Sequence, residues 1–269
     1  MKHPINIAAG FVVLLFVFLA LFGRHLTPYD PLATNVLQAL QAPSAQHWFG
    51  TDNLGRDIFS RVIAAARVDL HIAVMAVSIA FSIGVIVGAI AGYAGKAVDR
   101  VVSRMVDTIM AFPLFVLAMG IVAALGNTLD NIIIATAIIN IPFYIRMTRA
   151  EVMVQKQLEY VDASRISGGG SFRILFRQIL PNTLPTTVVQ VSLNLGWTIL
   201  NAAGLSFIGL GVRPPTPEWG ILVAEGASYM VSGQWWISFF PGMTLMIVVL
   251  SFNMLGDGLR DFADIRTRK

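Results

Sequence analysis

Residues 72–93 read IAVMAVSIAFSIGVIVGAIAGY, and no Asp, Glu, Lys or Arg lies between Asp69 and Lys96. A helix needs about 20 consecutive apolar residues to cross a hydrocarbon core about 30 Å thick. This stretch has that length and composition, so it is read as a membrane-spanning helix. The rest of the chain agrees. Of its 269 residues, 56% are hydrophobic and 13% charged, whereas soluble domains carry about 25% charged residues. So few charges cannot cover a soluble body of this size. The fold class is therefore all-α, a polytopic membrane protein with each span's backbone hydrogen bonds closed within its own helix.

Five further spans are read outward from this one. The first runs from Ile5 to Phe22. Gly23, Arg24, His25 and Leu26 follow it instead of a small-x-small cleavage site, so an uncleaved span is expected. Residues 24–69 contain Pro28, Pro31 and Pro43 and are expected to form a loop segment outside the membrane. The third span lies between Asp107 and Asp130 and the fourth between Asp130 and Arg146. The fourth is the shortest candidate, uncharged only from Asn131 to Ile145 and interrupted by Pro142. The fifth covers Thr186 to Leu210 and the sixth Ile237 to Leu255, with Trp235 and Trp236 placed as interfacial anchors.

Six crossings put both termini on one side. That side would carry 14 of the 19 Lys and Arg residues, spread over the N-terminus, the 94–106 loop, the 146–183 loop and the tail. Arg24, Arg56, Arg61, Arg67 and Arg213 would face the other way. Cytoplasmic loops are enriched in Lys and Arg, which places both termini and the 146–183 loop in the cytoplasm. A re-entrant fourth segment would largely erase the asymmetry. The same enrichment accounts for the net charge of +4, so no nucleic-acid partner is inferred.

The span interiors hold almost no ionisable side chains, which argues against an ion-coupled carrier. Uncharged polar residues do cluster. Gln190, Asn194, Trp197 and Asn201 recur on one face of the fifth span. Such a face either hydrogen-bonds to neighbouring helices or walls a wet translocation path. Asn140, with Thr136, offers a similar polar position on the fourth span. Gly84, Gly88 and Gly92 form small-xxx-small steps on the second and are read as a helix-packing face, in this chain or against another subunit.

Catalytic chemistry finds no support. There is no Cys, and His3, His25, His47 and His71 are too far apart for a zinc-binding HExxH pair. Gly204-Leu205-Ser206 has no histidine in any later span to serve as a base. Asp257 lacks a partner carboxylate. The closest approach to a phosphate-binding Walker loop, at Gly95-Lys96-Ala97, fails the pattern at two positions. No metal, cofactor or nucleotide is expected on this chain.

The 146–183 loop is the most informative extramembrane segment. An acidic-started helix over Glu159-Tyr160-Val161-Asp162-Ala163-Ser164-Arg165-Ile166 is followed by a break at Ser167-Gly168-Gly169-Gly170. A second amphipathic helix (Phe172, Leu175, Phe176, Ile179) then leads to Pro181 ahead of the fifth span. A surface helix of this kind suits docking into another protein's cleft. The loop resembles that of the membrane-spanning subunits of ABC importers. Their pattern is Glu-Ala-Ala, three residues, Gly, nine residues, then Ile-x-Leu-Pro. Here Asp162-Ala163-Ser164, Gly168 and Gln178-Ile179-Leu180-Pro181 keep the spacing and depart at Asp for Glu, Ser for Ala and Gln for Ile. Further stretches resemble the C-type subunit of the dipeptide, oligopeptide and nickel branch. They are Thr27-Pro28-Tyr29-Asp30-Pro31, the run from Gly50 to Asp57, Gly209-Leu210-Gly211, Pro214-Pro215, Glu218-Trp219-Gly220 and the run from Phe252 to Asp257.

The resemblance implies a type I permease fold: an N-terminal helix over 1–23, an extracytoplasmic segment over 24–69, a five-helix core over 70–258 and a cytoplasmic tail over 259–269. It implies a bacterial inner-membrane location, a second homologous B-type permease subunit, two ATP-binding subunits that carry ATP and Mg2+, and an extracytoplasmic solute-binding protein. Glu159, Asp162, Ala163, Ser164, Arg165, Gly168, Gly169 and Pro181 would then form the loop that couples ATPase motion to the spans. The implied cargo is a di- or oligopeptide, with nickel chelates, glutathione or opines as alternatives. Outside this class, a stand-alone channel or secondary carrier would leave the loop unexplained.

Overall fold

The computed structural model describes residues 4–267. Helix α1 spans Pro4–Leu26, α2 Ile58–Ala94, α3 Lys96–Met110, α4 Leu114–Leu125 and α5 Leu129–Gln155. Helix α6 spans Glu159–Ile166 and α7 Ser171–Ile174. A π turn over Leu175–Ile179 joins α7 to α8, Leu180–Phe207. Helices α9, Trp219–Ala227, and α10, Trp236–Thr267, complete the chain.

Helix α2 begins well before the expected second span and takes in residues 58–69 of the supposed loop segment. Asp57 caps it, its Oδ2 accepting from the Ser60 amide at 2.8 Å. The charged residues that pointed to a loop, Arg61 and Asp69, are each 1% exposed and are paired inside the protein. Charge satisfied internally does not end a helix.

The weak crossing is the third, not the fourth. Helix α5 runs unbroken through Pro142 and past Arg146. Its lower arginines meet carboxylates of α3: Arg146 Nη2 donates to Asp107 Oδ1 at 2.7 Å and Arg149 Nη2 to Asp99 Oδ2 at 2.8 Å. Of the expected third span, Leu114–Leu125 forms the apolar helix α4, while the preceding α3 takes in the expected 94–106 loop, and the two helices are bent by 86° at the break. With 12 residues, α4 rises only about 18 Å at about 1.5 Å per residue. Five helices are therefore long and apolar enough to cross a membrane, or six if the bent pair counts as one.

Helix direction decides the count. Gly84 lies against Tyr144, Gly88 against Ile145 and Thr148, and Gly92 against Arg149 and Val152. Residue numbers rise together, so α2 and α5 run parallel, and α3 with α4 must return the chain across the bilayer between them. The other contacts alternate: Gly23 meets Ile63, Gly256 meets Leu193, Gly196 meets Val249, and Gly10 meets Leu255. Six crossings result, with both described ends on the face that carries α6. Helix α9 and residues 27–57 occupy the opposite face.

Four apolar clusters hold the bundle, the smallest being Val77, Ala80 and Tyr144 between α2 and α5. Near the α9 face, fully buried Trp219 packs with Ile58, Val62, Leu70 and Ile199. Also toward that side, Ile72, Ile132, Val122 and Leu205 join α2, α4, α5 and α8. At the α6 face Ala89, Val152, Val161, Ile174 and Ile179 tie the loop to the ends of α2 and α5.

Candidate functional site

Two regions carry the residues singled out from the sequence. The first is a cavity of about 310 Å3 between α3, α4, α5 and α8. Asn140, Gln190, Asn194 and Trp197 line it, together with Met110 and Phe143. Four polar positions on two helices thus converge on one space. Asn140 Nδ2 donates to the Thr136 carbonyl at 2.7 Å, which leaves its side-chain oxygen for other partners. Asn194 is 7% exposed and its Nδ2 has no hydrogen-bond partner. A buried amide donor left unpaired costs about 1–3 kcal/mol, a cost that the neighbouring Tyr144 hydroxyl on α5 or water in the cavity relieves. Trp197 lines the same cavity and is 51% exposed. Asn201 does not reach the space. Its Nδ2 bonds back to the Trp197 carbonyl at 2.9 Å, and at 8% exposure it stabilises its own helix.

The glycines of the second span face α5 of the same chain. A Cβ would stand 2.4 Å from Tyr144 Cβ at Gly84, 2.6 Å from the Ile145 oxygen at Gly88 and 2.8 Å from the Arg149 oxygen at Gly92. These contacts set the depth of α5, and hence of Asn140, against the rest of the bundle.

The second region is the 146–183 loop. Lys156 Nζ donates to the Tyr93 carbonyl at 2.8 Å and holds the start of the loop to α2. Helix α6 closes in a Schellman motif. Gly169 N–H donates to Ser164 O at 2.8 Å and Gly168 N–H to Arg165 O at 3.0 Å, with Gly168 at φ +82°. Gly169 packs so closely that a Cβ would lie 2.7 Å from Ser164 Oγ. Ser164 Oγ also accepts from Gln178 Nε2 at 2.9 Å, locking α6 to the π turn. Asp162 and Arg165 pair at 2.9 Å on the exposed side, beside Glu159 and Ala163. Val161 and Ile174 are fastened to the bundle, whereas Ile166 is 88% and Phe172 75% exposed. One side of the loop is fixed and the other is offered.

Two details differ from the sequence reading. Phe172 points outward while Leu175 and Ile179 are buried, so the four residues do not share one face. Pro181 does not separate the loop from the fifth span, because one helical run continues from Ser171 to Phe207. The π turn just before Pro181 explains this. A proline ring clashes with the carbonyl four residues back, and the wider turn makes room for it.

The sequence reading missed the charged cluster at the α9 face. Asp52 accepts from Arg56 Nε at 2.6 Å and from Arg61 Nη1, and Glu225 Oε2 accepts from Arg61 Nη1 at 3.0 Å. Nearby, Glu218 caps α9 by accepting from the Gly220 and Ile221 amides at 3.0 and 2.9 Å, while Asp69 accepts from the Trp219 amide at 3.0 Å. Asp52, Arg56, Arg61 and Glu225 sew residues 50–57 to α2 and α9, and Asp69 ties α2 to the start of α9. Breaking such a buried pair costs about 3–5 kcal/mol. A dense acid–base run at Asp52, Arg56 and Asp57 in so apolar a chain was the available signal.

Residues 84–269 match the family of binding-protein-dependent transport system inner membrane components. The chain belongs to that family. Residues 1–43 of this permease subunit match the N-terminal transmembrane domain of oligopeptide transport permease C. The subunit is 43% identical to the dipeptide transport system permease protein DppC of Alkalihalophilus pseudofirmus, over 98% of this chain and 86% of that relative. It is 46% identical to the glutathione transport system permease protein GsiD of Salmonella typhimurium, over 98% and 86%. It is 39% identical to the probable D,D-dipeptide transport system permease protein DdpC of Escherichia coli, over 97% and 87%. It is therefore a multi-span inner-membrane permease subunit of an ABC importer. Family membership also brings an ATPase and a solute-binding protein as partners.

Proposed function

We propose that this permease subunit forms half of a translocation pathway for short peptides, glutathione among them. The observation that carries the reading is the cavity in which Asn140, Gln190 and Asn194 meet Trp197. Uncharged amides can exchange hydrogen bonds with a peptide backbone without binding it tightly, and they do so for many side chains. The names of the dipeptide and glutathione relatives support the same cargo class. A B-type permease subunit would supply the other half. Two ATP-binding subunits, carrying ATP and Mg2+, would dock on the exposed side of α6 around Glu159, Asp162, Ala163 and Arg165.

The excess of Lys and Arg on the α6 face supports placing that face, and both termini, in the cytoplasm. ATPase closure would then push α6. The Schellman turn at Gly168 and Gly169, the Ser164–Gln178 bond and the continuous helix through Pro181 would pass the push to α8. A lever of this kind biases an equilibrium between inward-open and outward-open states. The test is uptake of labelled dipeptide and of glutathione by proteoliposomes holding the assembled transporter, its binding protein and ATP. Asn194→Leu is expected to lower uptake of both solutes at least severalfold while leaving assembly intact. Undiminished uptake by that variant overturns the pathway reading, and uptake that persists without the ATPase subunits overturns the transporter class.

A further inference from the structure

A second cavity, of about 450 Å3, opens where α1, α2, α8 and α10 meet and shares no lining residue with the amide-lined space. Its floor is Leu70, Leu195 and Phe252, and Val17, Leu21 and Val74 wall it. Leu70 and Phe252 are buried, whereas Leu21 is 67% and Val74 49% exposed, so the space is a groove open to the side of the bundle. Its volume is in the range of about 300–1,000 Å3 typical of ligand pockets.

The groove has one polar end. Arg67 and His71, a helical turn apart on α2, line it and are exposed. Among the described residues Arg67 takes part in no ion pair. Asp69 is turned inward instead, 1% exposed and bound to the Trp219 amide. No Asp, Glu, Lys or Arg follows Asp69 until Lys96, the first residue of α3, so composition puts the start of the hydrocarbon zone just below Arg67. From Arg67 to Val74 the helix descends about 10 Å at about 1.5 Å per residue. The groove therefore leads from headgroup level into the acyl region, basic at its mouth and apolar along its length.

Lipid tails are as apolar as the groove, so no hydrophobic force draws a chain into it. Filling it recovers dispersion contacts that an empty space forfeits, but that gain does not distinguish one lipid from another. Selectivity must come from Arg67 and His71. We propose that this groove seats one acyl chain of an anionic phospholipid, with the headgroup phosphate held by the Arg67 guanidinium and the His71 ring.

The assembled transporter, reconstituted in nanodiscs of mixed phosphatidylglycerol and phosphatidylcholine and then extracted, tests this by native mass spectrometry of retained lipid. Wild-type protein is expected to retain phosphatidylglycerol preferentially. Arg67→Gln is expected to lower that preference about fivefold, the effect of one basic residue near an anionic surface, and Arg67→Lys to keep most of it. Val74→Trp, which fills the groove, is expected to reduce retained lipid of both kinds, and Arg213→Gln to change nothing. An unchanged lipid ratio in Arg67→Gln overturns the proposal. So does efficient cross-linking of the Val74→Cys variant to a neighbouring subunit, because the groove would then be a protein contact.

Discussion

Gly168 sits at φ +82°, and nothing lies within 4 Å of where its Cβ would be. Space is therefore no obstacle to a side chain there, but torsion is. A non-glycine residue held in the left-handed region costs about 1–3 kcal/mol, and a β-branched one is the least tolerant. Gly168→Val should unwind the end of α6. The expected outcome is a severalfold loss of co-purifying ATPase subunit with unchanged membrane insertion of the permease. Gly170→Ala, at φ −69° and also in open space, is the matched control and should behave as wild type. Equal ATPase recovery from the two variants would remove the turn from the coupling path. The helix break at Gly168 was legible from glycine following a periodic segment. The burial of Arg61 was not, because it depends on Glu225 and α9, which lie 164 residues further along the chain and close over the local Asp52 pair.

At the scale of elements, the parallel pair α2 and α5 depends on three glycines that let backbones touch. Gly88 is the tightest against backbone, its Cβ position 2.6 Å from the Ile145 oxygen. Overpacking of this kind costs about 1–3 kcal/mol, and a carbonyl cannot move aside as a flexible side chain can. Gly88→Leu is expected to lower the melting temperature of the purified complex and its yield. Gly120→Ala on α4, with no atom near its Cβ, should leave both unchanged. Hydropathy located these helices but misjudged their ends. It shortened α2 at Asp69 and α5 at Arg146, since a charge counts against a span even when a carboxylate or an amide on another element satisfies it. It also credited the third span with full length, because a run of apolar residues does not reveal an 86° bend.

For the whole molecule, the absence of Cys makes topology directly measurable. Leu37, 95% exposed on the α9 face, and Gln157, exposed beside α6, lie on opposite sides of the bundle. A membrane-impermeant maleimide is expected to label Leu37→Cys in cells whose inner membrane is intact, and Gln157→Cys only after that membrane is permeabilised. The reverse pattern would invert the proposed orientation and remove α6 from the reach of any cytoplasmic ATPase. The amino-acid sequence by itself determined the solvent of this protein, its helical class, the side bias of its charges and the family-specific loop. Each of these is written in local composition and spacing. Only the tertiary structure decided that α2 and α5 run parallel, that Asn140 meets Gln190 and Asn194 while Asn201 turns away, and that the outer charges are interior. Those facts depend on which helix faces which, and helix faces are chosen by packing between segments far apart in the chain.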